Sequence, residues 1–188
     1  MTRVLKLTSA LCLLLAFTAC DARTDKTDGG GVILSITEFD NFPRGFSANA
    51  IANAPPGEQF VSSGDITITN IPKNPSVTSQ LMDVEMQSYE VRCTRGDTGT
   101  RVPPPLVRGT FGSAPVGGTV DYSGLTLVDL EQITNRPIAD LLFENGGHDT
   151  ETGETRILLN CFMRFFGRTI SGDEVETAPG NFALTVTQ

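Results

Sequence analysis

The chain has 188 residues, with 22 acidic side chains against 14 basic ones and a formal net charge of −8 at neutral pH. It contains no run of lysine and arginine, which argues against nucleic acid and anionic lipid surfaces as partners, because both are bound by clustered basic side chains. With 19 glycines and 11 prolines, the composition favours short strands joined by turns over helices.

The first 19 residues have the pattern of a secretory signal. Arg3 and Lys6 provide a positive start, and residues 10–17 form an unbroken apolar run. That run is much shorter than the about 20 residues that a membrane-spanning helix needs. We therefore expect residues 1–19 to be removed. Removal leaves 169 residues, in which the number of basic side chains falls from 14 to 12 and the formal charge becomes −10.

A cysteine follows the small residue at the end of this signal, in the order Thr18-Ala19-Cys20. The arrangement resembles the precursor of a bacterial lipoprotein, in which Cys20 would be acylated and become the first mature residue. The resemblance covers this segment alone. It implies a lipid-anchored, extracytoplasmic protein of the cell envelope that contacts the membrane through its N-terminal lipid. Asp21 resembles a signal for retention in the inner membrane, but that rule varies between lineages, so the choice of membrane stays open.

Residues 20–31 are predicted to be the lipidated N-terminus and a flexible tether. Between residues 21 and 31 no apolar side chain is larger than alanine, so the segment cannot bury apolar surface. A flexible coil of this length spans roughly 18 Å on average. The remainder, residues 32–188, has the size of one ordinary domain.

Period-two alternation of apolar residues predicts strands at 32–37, 65–71, 81–94, 107–111, 119–122, 125–130, 156–168 and 182–187. In the third of these the apolar parity shifts by one residue between Met86 and Tyr89. The shift predicts a β-bulge near Gln87-Ser88, because otherwise half of the strand would face the wrong way. Residues 156–168 are apolar on both faces, which predicts a central position in a sheet.

The predicted fold is an all-β, antiparallel β-sandwich of immunoglobulin-like architecture, because seven to eight short strands are separated by glycine and proline turns. A small barrel is the alternative. One short helical segment is predicted near residues 131–143, where Pro137 limits it to one or two turns on each side. Residues 40–58 are predicted to form a long loop. The chain has no tryptophan, so the prediction concerns the architecture and not the antibody family.

Cys93 and Cys161 are predicted to form a disulfide. They are the two thiols that remain after Cys12 leaves with the signal and Cys20 is acylated. Both fall on the inward parity of their strands, in a compartment that permits oxidation. The alternative is a pair of buried free thiols that pack as small apolar residues.

A catalytic triad is formally possible because His148, the one histidine, precedes Asp149. The sharp Gly-x-Ser-x-Gly turn that would expose a nucleophilic serine is missing from the sequence. Ser63 and Ser113 look like ordinary turn residues. We therefore do not assign catalytic residues.

Three acidic residues near Gly153, namely Asp149, Glu151 and Glu154, are weak candidates for calcium ligands. Their spacing differs from the known calcium loop, and a solvated acidic hairpin has the same pattern. One histidine and a predicted disulfide leave no set of ligands for a transition metal, and no cofactor is expected. Paired carboxylates for glycoside cleavage remain open, since none of the 22 acids is singled out.

Two functions follow from these patterns. The first is a non-catalytic binding or structural module that contacts an envelope protein or a glycan through its longer loops, residues 40–58 and 145–154, since function on a rigid scaffold concentrates on such loops. The alternative is a secreted hydrolase that acts on carbohydrate or ester substrates. A pocket that joins His148 to a serine, or two facing carboxylates, would favour the hydrolase.

Overall fold

The computed structural model describes residues 29–188, so the predicted signal, Cys20 and the first part of the predicted tether lie outside the described residues. The strands are β1 Val32–Asp40, β2 Gly45–Ser47, β3 Phe60–Ser62, β4 Asp65–Pro72, β5 Val84–Arg95, β6 Leu106–Ala114, β7 Thr119–Ser123, β8 Thr126–Asp129, β9 Arg156–Thr169, β10 Glu174–Glu176 and β11 Gly180–Thr187. The helices are α1 Ala48–Ala52 and α2 Leu130–Thr134, with 3₁₀ turns at Gly29–Gly31, Gln80–Met82, Ile138–Leu141 and Phe143–Asn145. Over residues 29–188, every helix is too short or too polar to cross a bilayer.

The strands form three sheets, which confirms the prediction of a mostly β protein with antiparallel sheets. The largest has the order β2-β11-β9-β5-β6, with β10 beside β9; the second has the order β1-β4-β7; the third pairs β3 with β8. Within these sheets the pairing is antiparallel except between β2 and β11. Strand β9 lies between β11 and β5, so its predicted central position is confirmed.

The two larger sheets face the same hydrophobic core. Along the regular stretches of the strands alternate residues point inward, as the two-residue period of a strand requires, and the buried side chains of both sheets belong to one cluster. Tyr122 on β7 stacks on Phe165 on β9 with ring centroids 5.5 Å apart, which joins the two sheets directly.

The predicted β-bulge is present in β5. The register shifts between Met86 and Ser88 against both neighbouring strands, β6 and β9. The extra residue lets Val84 and Met86 before the bulge, and Tyr89 and Val91 after it, all face the core. The bulge therefore explains the change of parity in the sequence.

Cys93 and Cys161 form the predicted disulfide. They lie directly opposite each other on β5 and β9, with their Cα atoms 4.0 Å apart. The bond joins neighbouring strands of one sheet, unlike the bond between sheets that characterises antibody domains. It closes a sequence separation of 68 residues beside the end of β5.

Several short elements were not predicted, namely β2, β3, β10 and α1. Each has three to five residues, too few to show a period in the sequence. Residues 40–58, predicted as a loop, contain both β2 and α1. Helix α1 forms because the Ser47 side chain caps it by accepting a hydrogen bond from Ala50 N.

The predicted helical segment near 131–143 is present as short pieces. Helix α2 begins with a capping box, in which Asp129 and Gln132 each accept from the other's backbone N–H. A cis peptide bond precedes Pro137, and two 3₁₀ turns follow it. Proline therefore interrupts the helix, as predicted.

The described chain begins at one end of the sheets. Val32 at the start of β1 pairs with Pro72, and Lys73 N donates to Gly31 O. The Asn70 side chain donates to Met82 O and Ala114 O and so ties this end of the smaller sheet to the larger one. We call this the N-terminal end; it comprises residues 29–31, 72–83, 115–118 and 170–173. The opposite end, which we call the loop end, comprises residues 41–58, 95–101 and 143–155.

Candidate functional site

A buried arginine organises the loop end. The Arg95 side chain is 3% exposed, and its Nε donates to Asp97 Oδ1 while its Nη2 donates to Asp149 Oδ2, each at 2.7 Å. Arg95 is the last residue of β5 and keeps the inward parity of Cys93. The strand therefore directs the guanidinium beneath the loops instead of into solvent.

Glu151 joins the neighbouring turn to this arginine. Its carboxylate accepts from Thr100 N and Arg101 N, each at 2.9 Å, and from the Thr100 hydroxyl at 2.7 Å. Glu151 Oε2 also lies 3.8 Å from Arg95 Nη1. Arg95, Asp97, Asp149 and Glu151, which we call the Arg95 cluster, thus fasten residues 95–101 to residues 145–154.

The carboxylates of the Arg95 cluster are held in their charged form. Burial raises the pKa of Asp149, but hydrogen bonds from Arg95 and Thr152 outweigh it, and the pKa lies below its ordinary value. Burial also raises the pKa of Asp97, and bonds from Arg95 and from the backbone again bring it below the usual range. The pKa of Glu151 is lowered mainly by backbone N–H donors.

The structure does not bring the candidate triad together. Asp149 faces Arg95, whereas His148 is exposed and its Nδ1 lies 2.9 Å from Gly146 O. The Ser63 hydroxyl accepts from Leu125 N and donates to Gly64 O. Ser113, read as a turn residue in the sequence, lies within strand β6. The Ser63 hydroxyl is therefore occupied by backbone partners, and Ser113 belongs to a strand of the larger sheet. The His148 ring lies beside the Gly146 carbonyl instead.

The calcium candidates are brought together only in part. Asp149 and Glu151 meet around the guanidinium of Arg95, which already supplies their positive partner. Glu154 is exposed, and its backbone oxygen accepts from Asp149 N. Among residues 29–188, no group of three or more His, Cys, Asp and Glu side chains is arranged to hold a metal ion.

From the sequence no role is assigned to Arg95, which follows the predicted strand 81–94. A signal existed in the sequence, since Tyr89, Val91, Cys93 and Arg95 share one parity. A charged residue at an inward position of a strand needs a partner of opposite charge, because an unpaired buried charge is costly. Asp97 was the nearest such partner in the sequence.

The other long loop is held to the same end by Asn49. Its side chain donates to Leu141 O at 3.2 Å and accepts from Phe143 N at 3.0 Å. Ser47, which caps α1, donates to Gln188 O at 2.7 Å. These bonds hold the backbone at Phe143, whose side chain is 69% exposed, and His148, five residues further along the chain, is also exposed. The loop end is therefore a fixed surface that presents a large apolar side chain.

A groove of about 350 Å³ lies beside this end, between α2, strand β6 and the residues before β3. An ion pair between Arg108 and Asp129 crosses it. Beneath it the Tyr89 hydroxyl donates to Thr126 O at 3.0 Å, and burial raises the pKa of Tyr89. The groove combines charged side chains with the half-exposed ring of Phe60, a mixture suited to a polar ligand.

A second groove, of about 300 Å³, is acidic and lies on the smaller sheet. Glu38 on β1 and Asp121 on β7 flank Thr67 on β4, and the Thr67 hydroxyl lies 3.2 Å from Glu38 Oε2 and 2.7 Å from Asp121 Oδ1. Asp65 lines the same groove and accepts from Asn41. Two carboxylates thus face each other across one hydroxyl.

Comparison with known proteins gives little beyond this geometry. No protein-family model matches the chain, and no curated protein matches it. A solved structure, the X-ray structure of Northeast Structural Genomics Consortium target SoR45, is similar at 9% identity over 82% of this chain and 85% of that chain, with a TM-score of 0.36. A likeness of that degree carries no argument about function.

Proposed function

We propose that the protein is a lipid-anchored, non-catalytic module of the cell envelope that contacts an envelope protein or a glycan through its loop end. One observation carries the proposal: the two predicted contact loops, residues 40–58 and 145–154, lie at the end of the sheets opposite the place where the described chain begins. A lipid on Cys20 would therefore attach the domain at the end opposite these loops, which leaves the loops accessible to a partner.

The rigidity of the loop end and its exposed aromatic side chain support a role in binding. The Arg95 cluster and Asn49 fix the loops before any partner arrives, so binding would cost little ordering of the chain. Phe143 offers an exposed aromatic side chain on this fixed surface, and aromatic side chains are common anchors of interfaces. A rigid surface of this kind suits recognition better than a flexible loop would.

The architecture that goes with this proposal is an immunoglobulin-like β-sandwich. Its support is the face-to-face packing of the β1-β4-β7 sheet on the larger sheet. The disulfide within one sheet and the lack of tryptophan set the domain apart from antibody domains. An experimental structure with β6 hydrogen-bonded to β7 in a closed barrel would contradict this architecture.

Membrane fractionation tests the anchor. Wild-type protein should remain in the membrane fraction, and a Cys20→Ala variant should lose that association. Cys12→Ala is the matched control, because Cys12 lies inside the predicted signal and is not the proposed acylation site. If Cys20→Ala fractionates with membranes as wild type does, the proposed anchor is wrong.

Photo-crosslinking in intact cells tests the contact surface. A photoreactive residue replaces Phe143 or His148 at the loop end, and Val107 on the outer face of β6 serves as an exposed control. Discrete adducts at the two loop positions, without the same adduct at Val107, would support the proposal. Adducts at the control alone would overturn the assignment of the loop end.

The acidic groove favours a second candidate, a hydrolase acting on carbohydrate. Glu38 and Asp121 face each other across Thr67, and most glycoside hydrolases use a pair of carboxylates to cleave their substrate. The groove is on an open sheet face, and the one aromatic residue that lines it, Tyr122, stacks inward on Phe165. Hydrolysis of chromogenic glycosides that is abolished by both Glu38→Gln and Asp121→Asn would favour this candidate, and equal rates in all three proteins would remove it.

A further inference from the structure

The N-terminal end carries exposed aliphatic side chains where the chain leaves toward Cys20. Leu81 is 56% exposed and Ile170 is 52% exposed, and Val77 in the same segment is also exposed. On the neighbouring sheet, Ile33 and Ile71 are exposed and lie directly opposite each other on β1 and β4. Several exposed aliphatic residues at one end of a domain are typical of a surface that contacts an apolar partner.

Two of these side chains are held side by side by the backbone. Ile170 N donates to Asp83 O at 3.0 Å, and Ser171 N donates to Leu81 O at 2.9 Å. Leu81 sits in a 3₁₀ turn that is capped by the Ser79 side chain. The exposure of Leu81 and Ile170 is therefore a property of two joined turns and not of one loose loop.

The beginning of the described chain lies against these turns. Gly30 packs so closely on Thr169 and Asp173 that a Cβ there would come within 2.6 Å of the Thr169 methyl group, and Gly31 faces Met82. Cys20 precedes Gly29 by nine residues. Even fully extended, that length reaches about 30 Å at most. An acylated Cys20 would thus keep this end of the domain within that distance of the lipid.

We propose that the N-terminal end is a membrane-contacting surface, in which Leu81 and Ile170, together with Val77 of the segment before β5, insert into the interfacial region of a phospholipid bilayer. This inference rests on the lipid anchor proposed above and adds a second, protein-made contact to it. With the N-terminal end on the bilayer, the loop end of the domain faces away from the membrane. Burial of apolar side chains in the interfacial region adds to the attachment that the lipid itself provides.

The charges of the protein favour an uncharged lipid surface. The chain is strongly acidic, which opposes binding to anionic lipid. At this end Asp83 accepts from Val116 N, and Asp173 accepts from the Ser171 hydroxyl, so both carboxylates are turned to partners within the protein. The side chains proposed to insert are apolar, so we expect the contact to form on phosphatidylcholine and to depend little on salt.

Single tryptophans can report this contact because the chain has no tryptophan of its own. Full-length, lipidated Leu81→Trp and Ile170→Trp proteins are reconstituted into phosphatidylcholine vesicles that carry a spin label high on the acyl chain. Phe143→Trp is the control, since Phe143 is also largely exposed, at 69%, but lies at the loop end. Intact mass and co-flotation with vesicles establish first that each variant is acylated and anchored.

We expect the emission of Leu81→Trp and Ile170→Trp to shift to shorter wavelength on vesicles and to be quenched by the spin label. The emission of Phe143→Trp should stay at its value in water and be unquenched. If all variants float but none is quenched, the membrane contact is wrong while the anchor stands. If the proteins are not acylated and do not float, the anchor itself fails and the inference with it. A shift to shorter wavelength on concentrating the protein without vesicles would identify a second copy of the chain as the occupant and overturn the proposal.

Discussion

Replacing Arg95 by methionine tests whether the Arg95 cluster holds the loop end together. Methionine keeps much of the apolar stem but removes the guanidinium that neutralises Asp149, whose side chain is fully buried. Removing one partner of a buried ion pair typically costs about 3–5 kcal/mol, because the other charge is left uncompensated. That is a large part of the about 5–15 kcal/mol that stabilises an ordinary domain.

The expected loss is measured by thermal unfolding followed by circular dichroism, with the disulfide intact. For a domain of this size, each kcal/mol lowers Tm by about 2–4 °C, so Arg95→Met should lower it by about 6–20 °C. A double variant, Arg95→Met with Asp149→Asn, should recover part of the loss, because no unpaired carboxylate remains buried.

Arg92→Met is the matched control for this prediction. Arg92 lies on the same strand, points outward, has a side chain 56% exposed and pairs with Glu90. An exposed pair of this kind contributes about 1 kcal/mol or less. If Arg95→Met and Arg92→Met lower Tm equally, the Arg95 cluster does not stabilise the loop end and the reasoning is refuted.

Three further predictions concern stability. Replacing both Cys93 and Cys161 by alanine should lower the free energy of unfolding by up to about 4 kcal/mol in urea titrations, because the bond closes a long loop; an unchanged midpoint would contradict this. The lowered pKa values of Asp97 and Asp149 in the Arg95 cluster contribute stability that is present above their unfolded pKa of about 4 and is lost as the pH falls through the folded pKa. The urea midpoint should therefore fall in acid, and by less in Arg95→Met than in wild type. Gly99→Ala should destabilise the protein by about 1–3 kcal/mol, because the new Cβ would meet the Arg95 guanidinium. Gly109→Ala is the control: a Cβ there meets only Gln87 O at 3.8 Å, so this variant should unfold as wild type does.

The strands and the disulfide could be predicted because they follow a local pattern. A strand buries every second residue, so the change of parity between Met86 and Tyr89 was sufficient to place the bulge. The same parity pointed Cys93 and Cys161 inward. Elements of three to five residues, such as β2 and α1, show no period, and their formation depends on contacts that the sequence does not display.

The acidic groove and the apolar N-terminal end could not be predicted, because they depend on strand order. Glu38 and Asp121 are distant in the chain and meet only because β1 and β7 both pair with β4. Leu81 and Ile170 likewise become neighbours only when the ends of β5 and β9 come together. Arg95 is the exception, because its inward parity with Cys93 is visible in the sequence.

The mass of the mature protein, isolated from membranes, tests the central claim most directly. The account predicts a chain that begins at Cys20 and carries the added mass of lipid on that residue, with residues 1–19 removed. A mature protein that begins at any other residue, or one that begins at Cys20 without added lipid mass, would contradict the anchored orientation from which the roles of both ends of the domain follow.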